Sequence, residues 1–435
     1  MRNSCYWLGV RFLVALFTWV CLRSVVVPAE EQPLIAKQAC CVLELPEKSL
    51  RLPVRAALPA GCSVREGRHC TVVSQAPDLK VSAEVLGGPD ANGELRAPGY
   101  LVLRSTSAEK VSQDKVQPIS LQIHVNEGSG KSTDTFRWDE TSEVTLTLRD
   151  DHGNPVLAYN FGPITNPSVP ANDPRRTRAC YIHPVWGLKG EVLTDDFPRD
   201  HYHHHGIFWT WPHVVIRDQE YSLWEDKGAL RQRFRKWLCR EAGEHAAVLG
   251  VENGWMIDEE CLLAERVWIT VYKADSLGRM IDIDLFLLPH VPVTLWGAEG
   301  KSYGGLTMRF RPPSQKDAMI TVPAGLTGTD LYETRLPWAD FTSLFGDDGA
   351  SLSGGTIMVA PDHPDYPPTW LTRHYGPLCI GWPGIQSRTL EPGSCTRLSY
   401  RIWIHSDLRT AAEIHKIYEM FCAAAKLVCQ KSDSQ

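Results

Sequence analysis

Several familiar signatures are missing from this chain. It has neither a Gly-x-Gly-x-x-Gly loop nor a Walker loop, so we expect no nucleotide cofactor bound in the usual way. Its 45 basic residues are balanced by 51 acidic ones, and its longest basic cluster, Arg231–Lys236, is interleaved with apolar residues. The lack of a basic block argues against nucleic acid as a partner. Paired Cys-x-x-Cys spacing is absent too, so the cysteines do not predict a zinc site.

Long apolar runs are equally scarce, and the one candidate, Phe12–Leu22, lies near the start of the chain. It follows a weakly basic segment, and Val27–Ala29 supplies the small residues of a cleavage site. Residues 1–29 are therefore predicted to be a signal peptide. We expect an exported protein, periplasmic or extracellular, with no membrane segment after cleavage. An uncleaved anchor is the alternative, because the apolar run can extend through Val27.

The rest of the chain alternates apolar and polar residues at period two, which is typical of strands with one solvated face. We predict a mainly β protein, with an N-terminal β-sandwich over residues 39–150. A turn-rich seam, Asp150–Pro155, separates it from a large antiparallel β-supersandwich over residues 155–430. Helical spacing appears only at the end, where Ala411–Val428 is predicted to be a helix capped by Ser406 or Asp407.

The stretch from Tyr181 to Trp211 concentrates the residue types that move protons or bind metals. Five of the 15 histidines of the chain fall within it, beside several aspartates and three tryptophans. A neutral imidazole can take or give a proton near neutral pH, and an adjacent carboxylate can orient it. We therefore expect the active or binding surface here.

Three blocks of sequence carry a resemblance to a known family. The first is Asp200–Gly206, which reads D-H-Y-H-H-H-G, and the others are Gly300–Leu306 with Arg309, and Asp362–Trp370 followed by Arg373–Gly376. Together they resemble the bacterial PmoA-like family, which carries the label "methane oxygenase PmoA" and whose first block reads D-H-P-H-H-R-G. The chain departs from this pattern at Tyr202 and His205, so its substrate is expected to differ.

The resemblance implies a galactose-mutarotase-like supersandwich and a role on sugars. Proteins of that kind place histidines and carboxylates on a concave sheet face, where aromatic rings stack on sugars. The first hypothesis is thus an exported carbohydrate-active hydrolase, lyase or epimerase that works by His/Asp acid–base chemistry on a carbohydrate or related small molecule. Its predicted catalytic residues are His183, Asp196, Asp200, His203 and His204. Its predicted substrate-binding residues are Trp211, Tyr303, Arg309, Trp338, His363, Trp370 and Arg373.

Two other hypotheses use the same residues. If Asp200–Gly206 were a strand, His201, His203 and His205 would share one face and His204 would lie on the other. Those three imidazoles could then bind a divalent metal, although no HExxH pattern supports this. The third hypothesis is a non-catalytic carbohydrate-binding protein, which needs aromatic platforms but no proton carrier.

Overall fold

The computed structural model describes residues 41–60, 62, 69–74, 79–105, 118–125, 136–346, 351–425, 427 and 429–431. The predicted signal peptide lies outside these residues. Within them the protein is mainly β with one C-terminal α-helix, as predicted. None of the described helices is both long and apolar enough to cross a membrane.

Six strands form in the N-terminal part: β1 (Cys41–Pro46), β2 (Val54–Ala57), β3 (His69–Ser74), β4 (Val81–Leu86), β5 (Tyr100–Ser105) and β6 (Pro118–Val125). The remaining elements are β7 (Arg137–Ser142), β8 (Thr145–Arg149), β9 (Pro155–Asn160), β10 (Ile164–Thr165), β11 (Thr177–Arg178), β12 (Tyr181–Val185), β13 (Ile207–Thr210), β14 (His213–Ile216), β15 (Gln219–Tyr221), β16 (Arg231–Ala242), β17 (Ala246–Ile257), β18 (Glu260–Tyr272), β19 (Arg279–Pro289), β20 (Val293–Trp296), β21 (Gly305–Arg309), β22 (Met319–Val322), β23 (Gly325–Thr327), β24 (Thr334–Arg335), β25 (Trp338–Leu344), β26 (Leu352–Val359), β27 (Thr369–Thr372), β28 (Pro377–Gly381), β29 (Arg388–Leu390), β30 (Thr396–Ser406), α1 (Ala411–Ala424) and β31 (Gln430–Lys431). Short 3₁₀ helices cover Glu47–Arg51, Pro174–Arg176 and Gln315–Asp317.

Three large antiparallel sheets make up the described fold. The front sheet has the order β24-β27-β28-β21-β13-β12-β9-β8-β7, and the middle sheet has the order β16-β17-β18-β19-β30-β26-β25-β22-β23. The N-terminal sheet has the order β2-β5-β4-β3-β6-β1-β31. A four-stranded sheet, β15-β14-β20-β29, and the pair β10-β11 complete the set in the described residues.

The main core lies between the front and middle sheets. Alternate side chains of the front strands, among them Trp209, Leu306 and Leu378, pack there against Val251, Ile269 and other apolar residues of the middle sheet. The middle sheet is covered on its opposite face as well, so strands such as β17 are buried along nearly their whole length. This double burial explains why its strands read as long apolar runs.

Helix α1 packs on the back of the middle sheet through Ile414, Ile417 and Phe421. The prediction of its cap was wrong, because the capping residue is Thr410. The Thr410 hydroxyl accepts a hydrogen bond from the Glu413 backbone N–H, and the Glu413 carboxylate accepts one from the Thr410 backbone N–H. These two bonds satisfy two donors of the first turn. The helix ends at Ala424, short of the predicted Val428.

The hairpin β7–β8 belongs to the front sheet. Its second strand pairs with β9 over Thr145–Arg149, although these residues precede the turn-rich seam at Asp150–Pro155. That seam is a turn between two paired strands, in which the Asp150 carboxylate accepts the backbone N–H groups of His152 and Asn154. The predicted division of the chain into domains at residue 150 stays a prediction.

A buried ion network lies between the middle sheet and the N-terminal sheet. The Asp284 carboxylate accepts hydrogen bonds from Arg55 at 2.6 Å, from Arg397 at 2.8 Å and from the Ser399 hydroxyl at 2.6 Å. Burial alone would raise the pKa of Asp284, yet Arg397 and Arg55 hold it well below its usual range. The carboxylate therefore stays charged inside the protein.

We expect Asp284→Asn to destabilise the protein by about 3–5 kcal/mol, because removing one partner leaves Arg55 and Arg397 without the buried negative charge that compensates them. Urea unfolding followed by circular dichroism measures this loss. Glu260→Gln is the matched control, since Glu260 pairs with Arg217 on the surface and its loss should not move the unfolding midpoint measurably. Equal effects of the two substitutions would contradict the assignment.

Candidate active site on the front sheet

The candidate site lies on the side of the front sheet that faces away from the main core, which we call the front face. The alternation of the strands places Phe208, Thr307, Cys379 and Leu371 on this side, in a row of adjacent cross-strand partners. The neighbours of these residues along each strand, such as Trp209, point into the main core. The row forms the floor of the site, and loops supply its walls.

The segment Asp200–Gly206 is a turn and not a strand, so the predicted alternation of its histidines was wrong. The His201 backbone N–H donates to Pro198 O, and that of His204 donates to His201 O, which folds the segment back on itself. Gly206 closes the turn at φ 39°, and a Cβ at this position would lie 2.0 Å from Ile182 O. Only glycine fits there.

This turn brings His201, His203 and His204 together, and we call these three residues the histidine cluster. The rings of His201 and His204 stack with centroids 4.7 Å apart, and His203 lies edge-on to His204 at 4.7 Å. Tyr375 also stacks on His201, with ring centroids 5.2 Å apart. His201 Nδ1 also lies 2.9 Å from the Asp200 carboxylate, which orients the ring.

His205 points away from the cluster, toward Asp196. Its Nδ1 lies 2.8 Å from Asp196 Oδ1, while Oδ2 of the same carboxylate accepts the Tyr181 hydroxyl at 2.9 Å. Asp196 accepts a hydrogen bond from each neighbour, which fixes His205 with its proton on Nδ1 and a lone pair on Nε2. His183 is near by, with Nδ1 3.0 Å from the Thr194 hydroxyl.

His201, His203 and His205 therefore do not face one point, as the metal hypothesis required. No group of three or more His, Cys, Asp or Glu side chains within the described ranges is arranged to bind a metal ion. The reason is the turn, which directs His205 to Asp196 while the other two imidazoles face the front of the sheet.

Two arginines border the cluster. Arg309 lies over the Tyr375 ring at 4.7 Å, and its Nη2 is 3.3 Å from the Asp200 carboxylate and 3.9 Å from Asp195. Arg373 lies over the Tyr332 ring at 4.1 Å. Stacking on tyrosine holds each guanidinium plane in place without using its N–H groups.

A pair of aromatic rings faces the cluster from the other side. Trp224 lies 4.5 Å from Tyr303 between ring centroids, and it contacts His204 edge-on at 5.7 Å. The sequence analysis found Tyr303 but missed Trp224 and Tyr375. Tyr375 lies inside one of the blocks that carried the family resemblance, whereas Trp224 lies in a loop with no comparable signal.

Burial keeps His203 and His204 uncharged. It lowers the pKa of His203 to about 3, with a further contribution from His201. It also lowers the pKa of His204 well below its ordinary value, helped by His203 and Arg309. For Asp196 burial acts in the opposite direction and raises the pKa to about 6. Neutral imidazoles can both donate and accept protons, which suits acid–base chemistry.

Several polar atoms around the cluster are buried without a hydrogen-bond partner in the described part of the chain. They are Nδ1 of His203, Nδ1 of His204, and Nε and Nη1 of Arg309; Arg373 Nη1 lies 3.5 Å from the Asp330 carboxylate and is already paired. Buried polar groups in proteins are almost always hydrogen-bonded, to protein, water or ligand. Their convergence on one face marks a place where a polar ligand would complete them.

Four residues that the sequence analysis assigned to substrate binding lie elsewhere. Trp211 and Trp370 are buried in the main core, where their indole N–H groups donate to Trp382 O and Leu336 O. Trp338 is buried on the back of the middle sheet. His363 Nδ1 lies 2.6 Å from Pro364 O, and its Nε2 lies 3.1 Å from the Tyr400 hydroxyl. These side chains face inward because alternation along their strands, or a local turn, directs them there.

Comparisons with known proteins place the fold in context. No curated protein matches the chain. Among solved structures, the heparan sulfate lyase HepC from Pedobacter heparinus is similar at 9% identity and TM-score 0.34, over 66% of this chain and 38% of the lyase. A galactose mutarotase related enzyme from Lactobacillus acidophilus is similar at 8% identity and TM-score 0.30, over 62% of this chain and 97% of its own length. The chain thus spans less than half of the lyase, and these values assign neither activity to it.

A family model supplies the classification. The model described as "Family of unknown function (DUF6807)" matches residues 146–419, which include the front sheet from Leu146 in β8 onward and all of the candidate site. None of these comparisons supports the PmoA-like label, and that resemblance stays a prediction. Because the match covers more than half of the chain, the protein belongs to the DUF6807 family.

Proposed function

We propose that the protein is a carbohydrate-active enzyme, a hydrolase, lyase or epimerase, which binds a sugar on the front face and moves protons through its histidine cluster. The observation that carries this proposal is the convergence of buried nitrogens of His203, His204 and Arg309 between aromatic rings, none of which has a hydrogen-bond partner among the described residues. Sugars present hydroxyl groups at their edges and apolar C–H faces, and both features have counterparts here.

Each side of the site has a distinct role in the proposal. The rings of Trp224 and Tyr303 offer an apolar surface for the face of a pyranose. Arg309 and Arg373 donate to substrate oxygens from fixed planes. His204, buried and uncharged, takes or gives the proton in the chemical step, and His201 with Asp200 supports it by stacking. Export of the mature protein, predicted from residues 1–29, would bring it to extracellular or periplasmic glycans.

The reaction class can be separated by three readouts on one panel of neutral and acidic oligosaccharides. New reducing ends indicate a hydrolase, ultraviolet absorbance of an unsaturated uronate indicates a lyase, and proton exchange with deuterated water without cleavage indicates an epimerase. Parallel assays with a chelator test the metal-dependent alternative. Saturable binding of a glycan with no turnover of any glycan in the panel would instead support the hypothesis of a non-catalytic carbohydrate-binding protein.

We expect His204→Gln to lower turnover by about 10²–10⁴-fold, because it removes a proton carrier from the chemical step while keeping a polar side chain of similar length. Steady-state kinetics on the substrate found in the panel measure this effect, and circular dichroism checks the fold. His415→Gln is the control, since His415 is exposed on α1 and should leave the rate unchanged. Full activity of folded His204→Gln would remove His204 from the mechanism.

The neutral imidazoles also predict how stability depends on pH. In the unfolded chain, imidazoles take up protons as the pH falls through about 6.5, whereas folded His203 does so only near pH 3. Acidification from pH 6.5 to pH 4 therefore favours the unfolded state, by up to about 1.4 kcal/mol per pH unit for each such histidine. Asp196 opposes this trend, because its raised pKa lets the folded protein take up a proton at a higher pH than the unfolded chain does.

Urea unfolding at several pH values tests this expectation. The double variant His203→Gln, His204→Gln should show a shallower loss of stability between pH 6.5 and pH 4 than the wild type. His415→Gln should keep the wild-type slope, because its exposed imidazole lies outside the site. An unchanged slope in the double variant would mean that these two histidines take up protons at the same pH in the folded protein as in the unfolded chain.

A further inference from the structure

One aromatic ring at the edge of the front face is exposed although it is held in place. Tyr332 is 50% exposed, in contrast to the buried tryptophans of the main core. The Arg373 guanidinium lies over one face of its ring at 4.1 Å. The preceding residue, Leu331, packs against the main core, which leaves Tyr332 to face outward. A ring that is supported on one face and open on the other offers a platform for the apolar face of a ligand.

The loop that carries Tyr332 is attached to the sheet by hydrogen bonds. The Asp330 carboxylate accepts the His374 backbone N–H at 2.9 Å and lies 2.8 Å from His374 Nδ1. The Leu331 backbone N–H donates to the Thr372 hydroxyl, and the Thr372 backbone N–H donates to Leu331 O, both at 3.1 Å. The exposed ring therefore has a fixed support, so that a ligand would lose little affinity to the ordering of this loop.

Tyr332 lies at the end of a line of residues that crosses the front sheet from the histidine cluster. Arg309, which stacks on Tyr375 beside the cluster, pairs with Pro377 in β28. The Pro377 carbonyl in turn accepts the Arg373 backbone N–H at 3.0 Å. The strands β21, β28, β27 and β24 are successive, so three strand spacings, about 14 Å, separate β21 from β24, which Tyr332 precedes. A single pyranose ring does not span this distance, whereas a short chain of linked rings does.

The end of this line at the histidine cluster is open to solvent as well. The side chains of His201 and Asp200 are 35% and 47% exposed. Between this end and Tyr332 lie the Tyr375 ring and the two guanidinium groups. The front face thus has two accessible contact points, with polar and aromatic groups between them.

We propose that the substrate is an oligosaccharide rather than a free monosaccharide, with one unit at the histidine cluster and a later unit stacked on Tyr332. The inference rests on the carbohydrate activity proposed above and extends it to the size of the substrate. Arg309 and Arg373 lie between the two contacts and would donate to oxygens of the intervening units. The second contact raises the affinity because it forms within a complex that the first contact has already made.

Ladders of one to five units test the dependence on length. Cello-, malto-, xylo-, manno- and galacturono-oligosaccharides are titrated into the purified protein by isothermal titration calorimetry. In a ladder that binds, we expect the trisaccharide to bind at least about tenfold more tightly than the monosaccharide, because it gains the aromatic contact. A monosaccharide that binds as tightly as its trisaccharide would overturn this inference and leave the proposed function standing. No binding in any ladder would overturn both.

Substitutions at Tyr332 locate the second contact. Tyr332→Ala should weaken trisaccharide binding about tenfold and leave monosaccharide binding unchanged, since the histidine cluster is intact. Tyr332→Phe keeps a ring beneath Arg373 and should retain the wild-type affinity for the trisaccharide. Leu408→Ala, which removes an exposed apolar side chain beyond β30, is the matched control and should change neither affinity. Circular dichroism checks the fold of each variant. Undiminished trisaccharide binding by folded Tyr332→Ala would overturn the assignment.

Discussion

One buried carboxylate holds the front and middle sheets in register. Glu265 lies in the core between them and accepts four N–H groups, from Trp209 and Asn253 on Oε1 and from Trp255 and Gln232 on Oε2. A carboxylate in such a place is costly unless every lone pair is used. Its four donors come from the front sheet and from two strands of the middle sheet, so the positions of three strands are tied to one side chain.

This network continues outward to the loop that borders the histidine cluster. The Gln232 amide donates to Glu265 and accepts a hydrogen bond from Arg178. Arg178 in turn forms an ion pair with Asp226, which lies in the same loop as Trp224. One side of the candidate site is therefore supported from the core by this network. Phe208, next to Trp209 on β13, reaches the front face because its neighbour is fixed in the core.

Sequence patterns predicted much of this arrangement, for identifiable reasons. Period-two alternation located the strands, and the density of imidazoles and carboxylates pointed to the segment that became the histidine cluster. Arg309 and Tyr303 were found because they lie in blocks that resemble a known family. The tryptophans were harder, since an indole suits a core and a sugar platform equally well, and Trp211 proved to be core while Trp224 was overlooked.

By itself the sequence determined the class of fold and the chemistry available, because strand periodicity and residue type are local properties of the chain. The tertiary structure alone decided which of those residues meet. A backbone turn closed at Gly206 sends His205 to Asp196 and gathers the other histidines beside Arg309 and Tyr375. Contacts between residues more than a hundred positions apart depend on how the sheets stack, and no local pattern encodes them.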